Sequence, residues 1–103
     1  MSVQLPVRVV GTAARAIIEA AEWWASNRPK APEAFAEELE GAPQLLAAQP
    51  EIGARAQNTR LNGVRRIHLT RIRYYLYYRV SESPPAIEVL ALWHASRGSV
   101  PQI

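Results

Sequence analysis

Metal-free cleavage of a phosphodiester needs a base, an acid and cations against the phosphate. His94 offers an imidazole, the side chain that exchanges protons nearest neutral pH, and lies beside Trp93. Arg65, Arg79 and Arg97 would supply the cations if the strands that carry them align. Each of these residues also has a plainer role. A lone histidine at a strand end is more often a hydrogen-bonded surface residue, Arg97 can anchor the C-terminus, and Arg65 and Arg79 can bind carboxylates. Tyr74, Tyr75, Tyr77 and Tyr78 are interleaved with Arg71, Arg73 and Arg79, a composition that suits stacking against single-stranded nucleic acid. The same two residue types dominate protein interfaces, and strand alternation puts Tyr74 and Tyr78 toward a core. Tyr75 and Tyr77 are left for a partner, so a protein interface is the stronger expectation and direct nucleic-acid binding stays open.

Other chemistry is set aside by what is missing. The chain has no cysteine and no aspartate, no glycine loop that would cradle phosphate and no zinc-ligand spacing. Glu37, Glu38 and Glu40 read as a solvated helix face. No metal or cofactor is implied.

Charge is unevenly distributed: residues 1–54 stand at −3 and residues 55–103 at +6, for a net charge of +3. Between Arg55 and Arg79 lie Arg60, Arg65, Arg66, Arg71 and Arg73 without one carboxylate, so local ion pairs cannot neutralise them. A positive patch follows, and its field would attract nucleic acid or an acidic protein segment alike. Arginine predominates over lysine, which suits bidentate contact with phosphate or carboxylate.

The periodicities say which elements must position these groups. Leu5–Val10 is β-branched and ends at Gly11, which predicts a strand and a turn. Thr12 is placed to cap a helix over Ala13–Asn27, where Ala14, Ile17, Ile18, Ala21, Trp24 and Ala25 recur at helical spacing. Trp23 and Trp24 project about 100° apart, which predicts one in the core and one in contact with a partner. Pro32 opens a second helix that runs to Ala48 through Phe35, Leu39, Ala42 and Leu46, with a kink or split expected at Gly41–Pro43. Gln49–Gly63 reads as a loop. The period then falls to two: strands over Val64–Thr70 and Tyr74–Val80 form an antiparallel hairpin through Arg71–Arg73. Ser81–Pro85 turns the chain into Ala86–Trp93, apolar on both faces as a central strand would be.

The order is β-α-α-β-β-β, and the economical arrangement is α+β: a two-helix hairpin packed on a small antiparallel sheet. At 103 residues and 49% hydrophobic composition, one domain spanning 1–103 is expected, with stability from packing alone. No apolar run is long enough for a membrane span, and MSVQLPVRVV lacks the layout of a secretion signal. A cytoplasmic location without membrane contact is the expectation.

Several of these stretches together resemble the ParE branch of the RelE/ParE toxin superfamily of bacterial type II toxin-antitoxin systems. The resemblance rests on Gly63-Val64-Arg65 opening a strand, the YxLYYRV run Tyr74–Val80, the strand IEVLALW and then His94-x-x-Arg97. Trp23, Trp24, Phe35, Leu39 and Pro50-Glu51-Ile52-Gly53 also sit where that family places similar residues. It implies a toxin that poisons DNA gyrase in its cleaved-DNA state, without catalysis of its own. It also implies a ParD-like antitoxin that neutralises it in a hetero-oligomeric complex. The sibling RelE-type branch shares the fold but cuts messenger RNA on the ribosome. His94, Arg65, Arg79 and Arg97 would be the catalytic set under that alternative, yet the tail after Arg97 carries no aromatic and the single lysine, Lys30, lies in the helix link. Arg65, Arg66, Arg73, Tyr75, Tyr77, Arg79, His94 and Arg97 are accordingly the expected antitoxin- or target-binding positions.

Overall fold

A computed structural model describes residues 5–57 and 59–103. The first four residues of the stretch read for a secretion signal, and Asn58 of the expected loop, lie outside the described residues. The elements in chain order are β1 (Val7–Val9), α1 (Gly11–Asn27), α2 (Ala34–Ala48), β2 (Ala54–Arg55), β3 (Arg65–Leu69), β4 (Tyr74–Glu82) and β5 (Pro85–His94). They form the expected α+β arrangement. The strands make one sheet in the order β1-β5-β4-β3-β2, antiparallel from β2 to β5. The sheet is mixed rather than wholly antiparallel, because β1 joins β5 in parallel with Val7, Arg8 and Val9 opposite Ile87, Glu88 and Val89. Such a pairing is open to β1 because the whole of the intervening chain serves as its crossover.

α1 starts two residues before the expected boundary, and Thr12 does not cap it. Val10, extended at φ −68° and ψ 156°, occupies the N-cap with no side-chain bond. The backbone supplies the anchoring instead: Val10 N donates to Val89 O, and Ala14 N donates to Val10 O. The buried stripe of α1 is Ala13, Ala20 and Trp24, with Ala16 and Ile17 packed beside it. Ile18, Ala21 and Ala25, expected in that stripe, face outward, and Ile18 is 60% exposed. α2 is one unbroken helix with Pro43 inside it, so the chain does not split there. Proline removes one hydrogen bond of the ladder. Buried Phe35, Ala42 and Leu46 on both sides of it hold the helix in the core shared with the sheet.

Two apolar clusters lie on the two faces of the sheet. The larger joins the helices to Leu69, Ile72, Tyr74, Leu76, Tyr78, Ile87, Val89 and Leu92. At its centre Phe35 packs edge-on against Tyr74 at 5.9 Å and tilted against Trp24 at 6.2 Å. The smaller comprises Val64, Tyr77 and Leu90, covered by Ala56, Leu61, Trp93 and the C-terminal Ile103. A bulge in β5 makes this two-sided burial possible. Tyr77 pairs with Ala91 and Tyr78 with Val89, so Leu90 has no partner and the phase of the strand shifts there. Val89 and Leu92 therefore both face the helices, while Leu90 drops into the second cluster.

Candidate functional site

The register assigns each charged or aromatic residue to a face and a position along the strands. Opposite each other across β3 and β4 are Arg65 and Tyr78, Arg66 and Tyr77, His68 and Tyr75. Adjacent arginines thus diverge: Arg65 shares the helix-covered face with Tyr78, and Arg66 shares the other face with Tyr75 and Tyr77.

Arg65 is spent on an internal clamp. Its Nη1 donates to Gly53 O at 2.7 Å and to Glu51 O at 3.2 Å. Tyr78, wholly buried, completes the same structure by donating from Oη to Pro50 O at 2.8 Å while accepting from Gly53 N at 2.9 Å. The Pro50–Gly53 segment is therefore folded around the phenol. A side chain at Gly53 would place its Cβ 2.7 Å from Tyr78 Oη and 2.9 Å from Arg66 O, which only glycine avoids. Burial pushes the Tyr78 phenol up from its usual 10.0, partly offset by the Gly53 hydrogen bond and the Arg65 charge.

Arg79 is also paired. Its Nε lies 2.7 Å from Glu88 Oε1, and Arg8 Nη2 reaches Glu88 Oε2 at 3.0 Å, so one carboxylate bridges β1, β5 and β4. Arg71 meets Glu37 at 2.7 Å, while its backbone N donates to Glu38, which fastens the β3–β4 turn to α2. Glu37 and Glu38, on the helix face read as solvated, thus also hold that turn while Glu37 stays exposed.

His94 stands at the end of β5 on the side of Tyr74, whose ring meets it edge-on at 5.0 Å. Its Nδ1 receives the backbone N–H of Ser96 at 3.2 Å, with Ser96 Oγ at 2.6 Å. A backbone N–H can only donate, so Nδ1 is an acceptor and the proton of the neutral ring sits on Nε2. With Trp23, Arg28, Arg71 and Arg73 it lines a hollow of about 450 Å³ floored by Trp24, Ala34 and Ile72. Trp24 is 7% exposed and donates to Ala31 O, as expected of the core member of the pair, whereas Trp23 is 43% exposed with Arg28 against its ring. Arg73 sits in the left-handed region at φ 61°.

The remaining candidates do come together, on the face away from the helices. The Arg66 guanidinium lies 4.0 Å above the Tyr75 ring and donates to Tyr77 Oη at 3.1 Å. Arg97 lies 3.7 Å above Trp93, whose Nε1 donates to Ser99 O. These residues line a shallow hollow of about 250 Å³. His68, at 5.0 Å from Tyr75, extends the row. Sequence reasoning left His68 and Trp93 without a part in this platform. Their signal was available as the register that sets His68, Tyr75 and Trp93 abreast on β3, β4 and β5.

The set that phosphodiester cleavage would need is dispersed. Arg65 and His94 share a face but stand four residues apart along β4, about 13 Å at strand spacing. Arg79 and Arg97 are on the opposite face.

This arrangement of a helix pair on a five-stranded sheet is found in small toxin proteins. The fold is similar to that of a chain from a chromosomal ParDE toxin-antitoxin system of P. aeruginosa, with a TM-score of 0.69 and 17% identity over 92% of this chain and 100% of that one. It is also similar to a YoeB/ParE toxin from Agrobacterium tumefaciens, with a TM-score of 0.50 and 16% identity over 87% of this chain and 98% of that one. No curated protein matches the sequence. The family model for the ParE toxin of the type II toxin-antitoxin system parDE matches residues 7–98, and the chain belongs to that family. An antitoxin partner is implied by membership. Among the described residues, no helix is long and apolar enough to cross a membrane.

Proposed function

We propose that this ParE-family toxin poisons DNA gyrase in its cleaved-DNA state and is neutralised by a ParD-like antitoxin, without catalysing a reaction itself. The match over residues 7–98 carries this reading. Dispersal of His94, Arg65, Arg79 and Arg97 supports the non-catalytic part of it, because a base and its phosphate clamp must converge within hydrogen-bond reach. In this reading Arg65 and Arg79 hold the fold, Arg66, Arg97 and Tyr75 on the open face are contact residues with buried Tyr77 supporting Arg66 from beneath, and Arg73 and His94 offer contacts from the separate hollow beside Trp23.

The antitoxin would dock between α2 and β3. β2 pairs only with Arg65 and Arg66, so among the described residues the outer edge of β3 from Ile67 to Leu69 has no strand partner. Exposed Leu45 and Ile52 flank that edge in a groove of about 640 Å³. An extended segment carrying apolar and acidic residues would add main-chain hydrogen bonds to the edge, bury these side chains and approach Arg66.

Gyrase with supercoiled plasmid and, in parallel, translating ribosomes would each receive the purified protein. Accumulation of cleaved plasmid supports the proposal. Messenger cut at codon positions without plasmid cleavage would replace it with the ribosome-dependent nuclease, and neither product would indicate a fold member that only forms complexes.

A further inference from the structure

The open face of the sheet carries more than a positive charge. His68, Tyr75 and Trp93 are register partners on three consecutive strands and so project from the same face of the sheet, with the His68 and Tyr75 rings 5.0 Å apart. Two guanidiniums are already stacked on this row, Arg66 at 4.0 Å from Tyr75 and Arg97 at 3.7 Å from Trp93. No carboxylate lines the hollow they share, nor the adjoining one of about 150 Å³ bounded by Arg55, Gln57, Arg66, Tyr77 and Val100. Among the described residues neither cation has a carboxylate partner, in contrast to Arg79 and Arg71, which have glutamate partners.

Flat cations backed by rings and left without counter-ions suit one kind of ligand above others. A guanidinium held over an aromatic ring has lost much of its rotamer freedom, and its outer side accepts a second planar group while its N–H edges remain for an anion. Nucleobases are such planar groups, and phosphates such anions. Stacking on aromatic or guanidinium planes with phosphates along a basic track is how unpaired strands are held without sequence preference. An acidic peptide would use the cations but not the row of rings. A duplex hides its base faces inside the stack.

We infer that this face binds unpaired nucleic acid, with bases stacked on the Arg66–Tyr75 and Arg97–Trp93 pairs and phosphates against the guanidinium edges. The inference goes beyond the gyrase reading and stands without it. Base faces and phosphates, the groups this platform would hold, are common to DNA and RNA, so both are expected to bind.

Fluorescence anisotropy with labelled oligothymidine and oligouridine of ~15 nucleotides, the size range of such sites, tests it on the full chain. Both oligonucleotides should bind at low salt, within about threefold of each other, and a duplex of equal length more weakly. Affinity should fall with salt with a logarithmic slope of about −0.7 for each phosphate contacted. Arg97→Ala, at an exposed position, and Arg66→Ala should each weaken binding by about tenfold or more, with thermal unfolding used to verify that the variants are folded. Y75L removes the ring while keeping an apolar side chain and should do the same. Absence of binding at low salt, equal binding of the duplex, or unchanged binding by the folded variants would overturn the inference. So would displacement of the oligonucleotide by a polyglutamate peptide at equal charge concentration, which would assign the face to an acidic protein segment.

Discussion

Tyr78 shows how one hydroxyl can fix a loop. It donates to Pro50 O and accepts from Gly53 N, the second bond buried and the first partly so. Tyr78→Phe would leave both groups without their partner and should destabilise the protein by about 1–3 kcal/mol in urea unfolding. Gly53→Ala forces its new methyl against the same phenol and against Arg66 O, so a loss of about 1–3 kcal/mol is expected there too. The phenols of Tyr74 and Tyr78 both titrate above 10.0 because burial disfavours the phenolate. Above that pH the unfolded chain releases protons that the folded chain retains. Stability measured by denaturant titration should therefore be insensitive to these groups up to about pH 9 and fall as pH rises beyond 10. The Y78F variant should show a shallower fall.

Residue types were legible at this scale, and several partners were not. Alternation alone separates Arg65 from Arg66, but nothing local reveals that Arg65 meets Gly53 O or that Arg71 finds Glu37 on another element. The carboxylate-free stretch from Arg55 to Arg79 thus gave a fair picture of an unneutralised patch while overstating its membership. Division of Trp23 from Trp24 followed from helix geometry and needed no tertiary information.

Elements were readable where a period persists for a full face. α1, α2 and the long strands β4 and β5 follow from their spacing, with ends that differ by one or two residues. β2 is two residues long and carries no period, so it reads as loop and exists only because Arg65 and Arg66 pair with it. The outward turn of Ile18 in α1 has a different cause. Alanines bracket the buried stripe on both sides, so composition does not fix the phase of the helix and the sheet does. The bulge at Leu90 is likewise invisible in an all-apolar strand, since either face would accept each residue. Glu88 joins β1, β5 and β4 through Arg8 and Arg79. Glu88→Ala should cost about 1 kcal/mol, a modest figure because both arginines reach solvent. Hydrogen exchange should show the accompanying loss of protection in Val7–Val9, which among the described strands pairs with β5 alone.

For the molecule as a whole, the helix-covered face builds the core and the open face keeps its cations. This division suits a protein that works by holding other macromolecules. The proposed antitoxin docking at the β3 edge would combine apolar burial on exposed Leu45 and Ile52 with charge pairing, so the complex should weaken only partly when salt rises from low to high. Complete dissociation in a salt titration followed by size-exclusion chromatography would remove the apolar part of that account.

Stoichiometry tests most directly whether this chain acts by holding its target. Titrated into a fixed amount of gyrase and supercoiled plasmid, the protein should raise cleaved DNA until it matches the enzyme and then plateau, and excess antitoxin should suppress the rise. No cleaved plasmid at any ratio, together with messenger cut by substoichiometric protein on ribosomes, would contradict it.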